Sequence, residues 1–193
     1  MELDEFLEKV YEEVNDNIKF LEAKNAALIT LNSALIALGG NIVFDSGIFF
    51  TYRIIIASFV LLLILPLICS IISFRSTTNS EAGIIKKLFS LLESQNKILV
   101  TPAKYMYYAY IHKFYSTPEA YLNDLHTTDI DDNEKPFLLQ FSQQIIDLAG
   151  VAYRKSILFN IAVKIECIIF SLGSILALTI LLVKCIMTIA QLW

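Results

Sequence analysis

Between Arg53 and Arg75 the chain runs IIIASFVLLLILPLICSIISF without one charged residue. A bilayer core about 30 Å thick is crossed by roughly 20 helical residues rising about 1.5 Å each. The stretch from Ile54 to Phe74 therefore has the length of a membrane span, and the two arginines at its ends are placed to snorkel towards headgroups. Lipid is a solvent for part of this protein. The composition agrees, with 56% hydrophobic residues in a chain of 193 and a mean hydropathy of +0.61, well above a soluble globular chain.

Two further runs meet the same test. Ala26 to Phe44 lies between Lys24 and Asp45 and carries Thr30, Asn32, Ser33 and Asn41; Ile165 to Val183 lies between Lys164 and Lys184. Glu166 sits two residues inside that last boundary, where its carboxylate is expected to reach headgroups or water. Only DSGIFFTY separates the first two runs, which makes them an antiparallel hairpin. Lys24, Arg75, Lys86, Lys87, Arg154, Lys155 and Lys164 fall on one side of the membrane, against Arg53 and Lys184 on the other. By the positive-inside rule the amino terminus and the central segment are cytoplasmic, and CIMTIAQLW lies outside or in the far interface, where Trp193 suits the aromatic belt. The opening MELDEF is not a cleavable signal, so the first span is its own insertion signal. Cys69, Cys167 and Cys185 have no paired spacing and no histidine company, and read as small apolar fillers rather than a metal site or a disulfide.

Ahead of the first span, Leu3, Phe6 or Leu7, Val10, Val14, Ile18 and Leu21 recur at three- and four-residue steps, the pattern of an amphipathic helix or short coiled coil. Nothing breaks the helix before the span. Its other face holds eight acids (Glu2, Asp4, Glu5, Glu8, Glu12, Glu13, Asp16, Glu22) against three lysines, which argues against an anionic membrane surface and for either a protein partner or plain solvation. The segment 75–155 balances nine basic against nine acidic residues, with lysines gathered between Ile84 and Lys113 and acids between Glu119 and Asp147. Its periodicity is helical, in Ile85, Leu88, Leu91, Leu92 and again in Met106, Tyr110, Phe114. It has neither strand alternation nor a glycine-rich phosphate loop, which excludes a soluble α/β enzyme. Thr101-Pro102 starts a helix, Thr117-Pro118 breaks it, and TTDIDDNEKP is a polar loop whose Pro136 falls in the first turn of the next helix. From Phe137 the apolar positions Leu138, Phe141, Ile145, Leu148 and Ala152 keep helical spacing into the last span. That predicts one helix of about 50 residues, a cytoplasmic stalk that Gly150 and Gly173 can bend.

The predicted fold is an all-α membrane protein. Its parts are an acidic cytoplasmic helix over 1–24, a transmembrane hairpin over 25–75 with spans 26–44 and 54–74, a cytoplasmic helical module over 76–155, and a C-terminal transmembrane helix and tail over 156–193, continuous with the stalk. Within the first span, Thr30, Ser33, Ala37 and Gly40 form a small and polar face, with Asn25 and Asn32 one heptad apart beside it. Small residues let membrane helices approach closely, and an amide at membrane depth must be paired or wet. The face is therefore either a packing seam or, with Asn25, Thr30, Asn32, Ser33 and Asn41, the lining of a water-filled path. Three spans cannot enclose a channel in one monomer, so the second reading requires an oligomer. Pro66 frees a backbone carbonyl in the middle span and marks a bend or a gate.

The stretch KYMYYAYIHKFY, residues 104–115, places Met106, Tyr110 and Phe114 on one helical face, expected to be core, and Lys104, Tyr108, His112 and Tyr115 on the other. With Lys86, Lys87, Lys97 and Lys113 nearby in sequence, the second face offers cations for phosphates and rings for bases. The ordinary alternative is that these tyrosines sit at headgroup depth or pack between helices. His112 and His126 have no nucleophile placed near them, and Asp129, Asp131 and Asp132 read as turn chemistry, so no enzyme, metal or cofactor is expected.

The stretch NIKFLEAKNAALITLNSALIAL resembles the acidic helix and small-residue span that open bacterial Pycsar-type and SLATT-type transmembrane effectors, and QQIIDLAGVAYRKSILFNIAVKIECIIF resembles their cytoplasmic helix with a basic element leading into the last span. The likeness covers about residues 10–75 and 135–183. It implies an inner-membrane effector of prokaryotic antiphage defence that oligomerises and compromises the membrane, in abortive infection, when a nucleotide signal made by a partner nucleotidyltransferase changes. The chain shows no appended cyclic-nucleotide-binding domain of the larger Pycsar members, which places sensing in 75–155 or in another protein. In this it is similar to the channel component of the Hailong system, whose controlling ligand is a DNA oligomer. The leading expectation is an oligomeric ion channel or pore gated by a nucleotide or oligonucleotide; the other is a non-conducting adaptor that recruits a cytoplasmic partner through the acidic helix.

Overall fold

The computed structural model describes residues 3–47, 49–75, 107–125 and 134–190, and among these every regular element is a helix. Helix α1 is Leu3–Phe44, α2 is Phe50–Arg75, α3 is Tyr108–Phe114, α4 is Pro118–Asp124 and α5 is Lys135–Ala190. The expected helices within 76–106, the basic residues Lys86, Lys87, Lys97 and Lys104, the acids of 129–132, and Trp193 lie outside the described residues.

Three of the helices are long and apolar enough to cross a membrane: Leu3–Phe44, Phe50–Phe74 and Lys135–Val183. The acidic helix and the first span form one uninterrupted α1 of 42 residues. Asp4 and Glu5 in its first turn complement the unpaired N–H groups and positive dipole end there. The hairpin turns over a short link in which Asp45 Oδ1 accepts from the Gly47 N–H at 2.8 Å, a local turn made by an aspartate side chain. Helix α5 runs 56 residues, with Pro136 in its first turn where a missing N–H costs nothing. The Thr117-Pro118 pair does more than break a helix. Thr117 Oγ1 accepts from the Ala120 N–H at 3.3 Å and Pro118 occupies the first turn, so the pair starts α4, while α3 has already ended at Phe114.

The chain divides into two compact units, and α1, α2 and α5 each contribute to both. The head unit comprises Met1–Asn25 and Ile72–Phe159, and the span unit Ala26–Ile71 and Asn160–Trp193. The head unit has a continuous apolar core of Leu7, Val10, Val14, Ile18 and Leu21 from α1, Ile111 and Tyr115 at α3, Tyr121 and Leu122 from α4, and Leu138, Ile145, Ile146, Ala149, Val151 and Ala152 from α5. The three-and-four spacing of α1 thus selects the face that enters this core, with Leu7 as the fully buried member of the Phe6/Leu7 pair.

The span unit has the reverse pattern. Leu31, Leu38, Leu61, Leu65, Ile68, Ile168, Leu172, Ile175, Leu178 and Leu181 are exposed, whereas Asn32, Leu63, Pro66, Ser70, Ala162, Glu166 and Ile169 are buried. Close helix approach is set by glycine. A Cβ at Gly39 would stand 2.4 Å from Val60 Cγ2, and one at Gly173 would stand 3.1 Å from Phe59 Cε1. In the head unit Gly150 has the same role beneath His112, whose Nδ1 would lie 3.0 Å from an added Cβ. Four outward hydroxyls are satisfied within their own helix: Thr30 donates to Ala26 O at 2.9 Å, Ser58 to Ile54 O at 2.8 Å, Ser171 to Cys167 O at 2.7 Å and Ser174 to Phe170 O at 2.8 Å. Such bonds let a hydroxyl face an apolar medium at little cost.

Candidate functional site

The five residues expected to line a path are separated by α1 into two sets. On a helix that turns about 100° per residue, Thr30, Ser33, Ala37, Gly40 and Asn41 share one face, and Asn32 falls on the opposite one. Accordingly Thr30, Ser33 and Asn41 are exposed, while Asn25 and Asn32 are buried. The heptad spacing of the two asparagines is the spacing of an inward stripe.

The Asn32 amide donates to Leu28 O at 3.0 Å. Glu166, on α5, is only 5% exposed, so the expectation that it reaches headgroups or water is corrected: helical phase turns it into the span unit. On α2, the Gly39–Val60 approach sets the antiparallel register and brings the level of Asn32 to that of Pro66, whose ring is also buried. Proline has no N–H to give, which leaves the Leu62 carbonyl without its helical donor at this level.

Asn25 belongs instead to a polar clasp in the head unit. Its amide donates to Leu21 O at 3.0 Å and to Ser73 Oγ at 2.9 Å, and Ser73 Oγ donates to Lys155 O at 3.2 Å. The Lys155 ammonium, 3% exposed, donates to Glu22 Oε1 at 2.8 Å and to Phe74 O at 3.4 Å, and stands 5.7 Å from the centre of the Phe74 ring. Next to it, Lys24 stacks over Phe20 at 4.0 Å. One buried network thus joins α1, α2 and α5. Sequence reading took Lys155 as a topogenic charge and Glu22 as one acid of the outer face of α1, and passed over Ser73. A lysine followed two and three residues later by core positions, Ile157 and Leu158, was the available signal that its ammonium has a buried partner.

The expected ligand residues at α3 are distributed over its surface and its core. Lys113 is exposed, and Tyr108 and His112 are half-buried, His112 with its ring 5.2 Å from that of Tyr153. Tyr115 is 6% exposed, meets Tyr121 edge-on at 4.9 Å and donates its hydroxyl to Asp124 Oδ2. Of the face expected to be core, Met106 lies outside the described residues, Tyr110 packs partly buried against the core, and Phe114 is corrected. Phe114 is 54% exposed and stacks on Tyr110 at 4.1 Å, whereas Ala109 and Ile111 enter the core, because so short a helix ends at Phe114 and the extended residue Tyr115 takes the inward position. Burial pushes the phenols of Tyr107 and Tyr121 above the ordinary tyrosine range, so neither ionises near neutrality.

Among the described residues no group of three or more histidines, cysteines and carboxylates is arranged to hold a metal, and Cys69 and Cys167 are free thiols. No curated protein and no solved structure matches this chain. A family model does: the PycTM, Pycsar effector protein domain, matches residues 6–184, taking in all of the described elements except their outermost residues. The acidic helix leading into a small-residue span, the hairpin and most of the long last helix thus lie within the matched residues, and the chain belongs to the Pycsar effectors, as a transmembrane effector of antiphage defence.

Proposed function

We propose that the protein is an oligomeric membrane channel or pore that permeabilises the inner membrane of an infected cell when a nucleotide signal reaches its cytoplasmic helices. The observation that carries this reading is the outward polar face of α1. Ser33 and Asn41 are exposed there beside Thr30, Ala37 and Gly40, and among the described residues neither the Ser33 hydroxyl nor the Asn41 side-chain amide has a hydrogen bond within the chain. An exposed amide and hydroxyl on a spanning helix are costly in lipid, and are relieved by a second copy of the helix or by water between copies. The inward asparagines bond within the monomer, so the lining of the path falls to Thr30, Ser33 and Asn41, with Asn25, Asn32 and Pro66 holding the helices that form its gate.

Pycsar effectors respond to cyclic nucleotide signals made by a partner cyclase. In this chain the ligand surface is assigned to Lys86, Lys87, Lys97, Lys104, Tyr108, His112 and Lys113, with Tyr115 as its buried support; a cyclic nucleotide is the first ligand to test and an oligonucleotide the second. The amino terminus and this surface are cytoplasmic, as the lysine distribution requires.

The test is a planar bilayer recording of the reconstituted protein. Ligand-dependent current that changes with Ser33→Leu or Asn41→Leu is expected, and silence together with recovery of a cytoplasmic partner on the acidic helix would establish the adaptor reading instead. Lys104→Glu combined with Tyr108→Ala is expected to abolish nucleotide binding; unchanged binding sinks the ligand site.

A further inference from the structure

Two lysines of the head unit stand against phenyl rings, and only one of them has an anion. The Lys155 ammonium lies 5.7 Å from the centre of the Phe74 ring and donates to Glu22 Oε1 at 2.8 Å. The Lys24 ammonium lies 4.0 Å from the centre of the Phe20 ring and 5.6 Å from that of Phe159, so α1 and α5 each place a ring beside it. Among the described residues it has neither an ion pair nor a hydrogen bond. Its three N–H donors therefore take their acceptors from outside the chain. No further acid is at hand on these helices. Through residues 17–44, 50–75 and 148–165 the single carboxylate is that of Glu22, which is bound to Lys155. Asp16, the next acid back along α1, pairs with Lys19 at 2.9 Å. The acidic face that argues against an anionic membrane surface thus ends before the span begins.

The rings carry a second observation. Phe20 is 57% exposed and lies off the stripe of Val14, Ile18 and Leu21 that enters the core. An exposed phenyl ring is unfavourable in water, whereas at the boundary of a bilayer it meets glycerol and acyl groups. Lys24 marks that boundary, because no charged residue follows it before Asp45. We propose that Lys24, seated between Phe20 and Phe159, binds the phosphate of an anionic phospholipid. The rings attract the ammonium and shield it on their side, and the phosphodiester supplies the missing anion and acceptors. A compact ammonium with rotatable donors suits a phosphate that arrives from a fluid leaflet without a fixed orientation. Phosphatidylcholine carries its own cation next to the phosphate, which competes with Lys24; phosphatidylglycerol leaves the phosphate charge unopposed. This site stands on the membrane placement of α1 and does not depend on conduction or on any nucleotide.

The experiment is native mass spectrometry of the full chain in a nonionic detergent, titrated with phosphatidylglycerol, phosphatidylcholine or inorganic phosphate. The wild type is expected to bind phosphatidylglycerol in preference to phosphatidylcholine. Lys24→Gln is expected to weaken that binding about fivefold while leaving the lipid-free thermal midpoint unchanged, and Lys24→Arg to retain it. Phe20→Leu, which keeps the charge and removes one ring, is expected to weaken it by a smaller factor. Wild-type affinity in Lys24→Gln or in Phe20→Leu, or equal binding of phosphatidylcholine, would each overturn the proposal. Displacement of the lipid by inorganic phosphate would assign the position to a soluble anion, and a lowered lipid-free midpoint in Lys24→Gln would make the lysine a structural one; either result overturns it as well.

Discussion

The head unit and the span unit bury opposite kinds of residue. In the head unit Leu7, Val10, Val14, Ile111, Ile145 and Ala152 are shielded, and the salt bridge of Lys155 with Glu22 lies beside Asn25 and Ser73. In the span unit Leu31, Leu38, Leu61, Leu65, Ile168, Leu172, Ile175 and Leu178 face outwards, and Gly39, Gly173, Asn32, Pro66 and Glu166 are among the inward positions. The same chemistry accounts for both. Water drives apolar surface inwards at about 25 cal/mol per Å², whereas lipid is as apolar as leucine and removes that force, leaving close backbone approach and hydrogen bonds to select the interface.

The contrast predicts unequal responses to the same kind of substitution. Truncating the head core with Leu7→Ala or Ile145→Ala is expected to cost about 2–5 kcal/mol through lost burial and an unfilled cavity, read by chemical denaturation of the protein in mild detergent. A cost near zero at either site would remove the water-driven half of the comparison. In the span unit the sensitive change is the addition of a methyl group. Gly39→Ala drives a Cβ against the stiff β-branched side chain of Val60, and overpacking of this kind costs about 1–3 kcal/mol, seen as a lowered thermal midpoint in detergent.

The clasp sharpens the comparison because its two ends differ in exposure. Glu22→Gln leaves the Lys155 ammonium buried without its anion, while Lys155→Met leaves Glu22, 42% exposed, free to turn to water. Glu22→Gln is therefore expected to destabilise by about 1–3 kcal/mol, and Lys155→Met by less, on the same thermal measurement. The reverse order would mean that the apolar stem of Lys155 contributes more than its charge. The smallest effect belongs to Leu178→Ala, on the outward surface of α5. Its side chain exchanges one apolar neighbour for another, and a change within about 0.5 kcal/mol is expected; a core-like cost there would place a protein partner, not lipid, over that surface.

Element types were legible in the sequence wherever a single physical rule applied. Charge-free runs bounded by Arg53 and Arg75, or by Lys24 and Asp45, specify spans by length alone, and the three-and-four recurrence of Leu7, Val10, Val14, Ile18 and Leu21 specifies which face of α1 is covered. The long α5 was legible because no proline follows Pro136. The site was legible only in part. The polar residues of α1 stood out by type, yet type does not separate Ser33, which is exposed, from Asn32, which is buried one residue earlier. Glu166 was misread because distance from a span boundary measures depth along the helix and says nothing of direction around it.

Helix, hairpin and membrane placement were thus determined by the sequence itself, since each follows from local periodicity and from transfer of contiguous side chains into lipid. Only the tertiary structure decided which polar groups are partners. The pairing of Asn25, Ser73, Lys155 and Glu22 joins residues more than 80 positions apart along the chain in several of its bonds. Such pairing depends on the register of one helix against another, which no local pattern of residues carries.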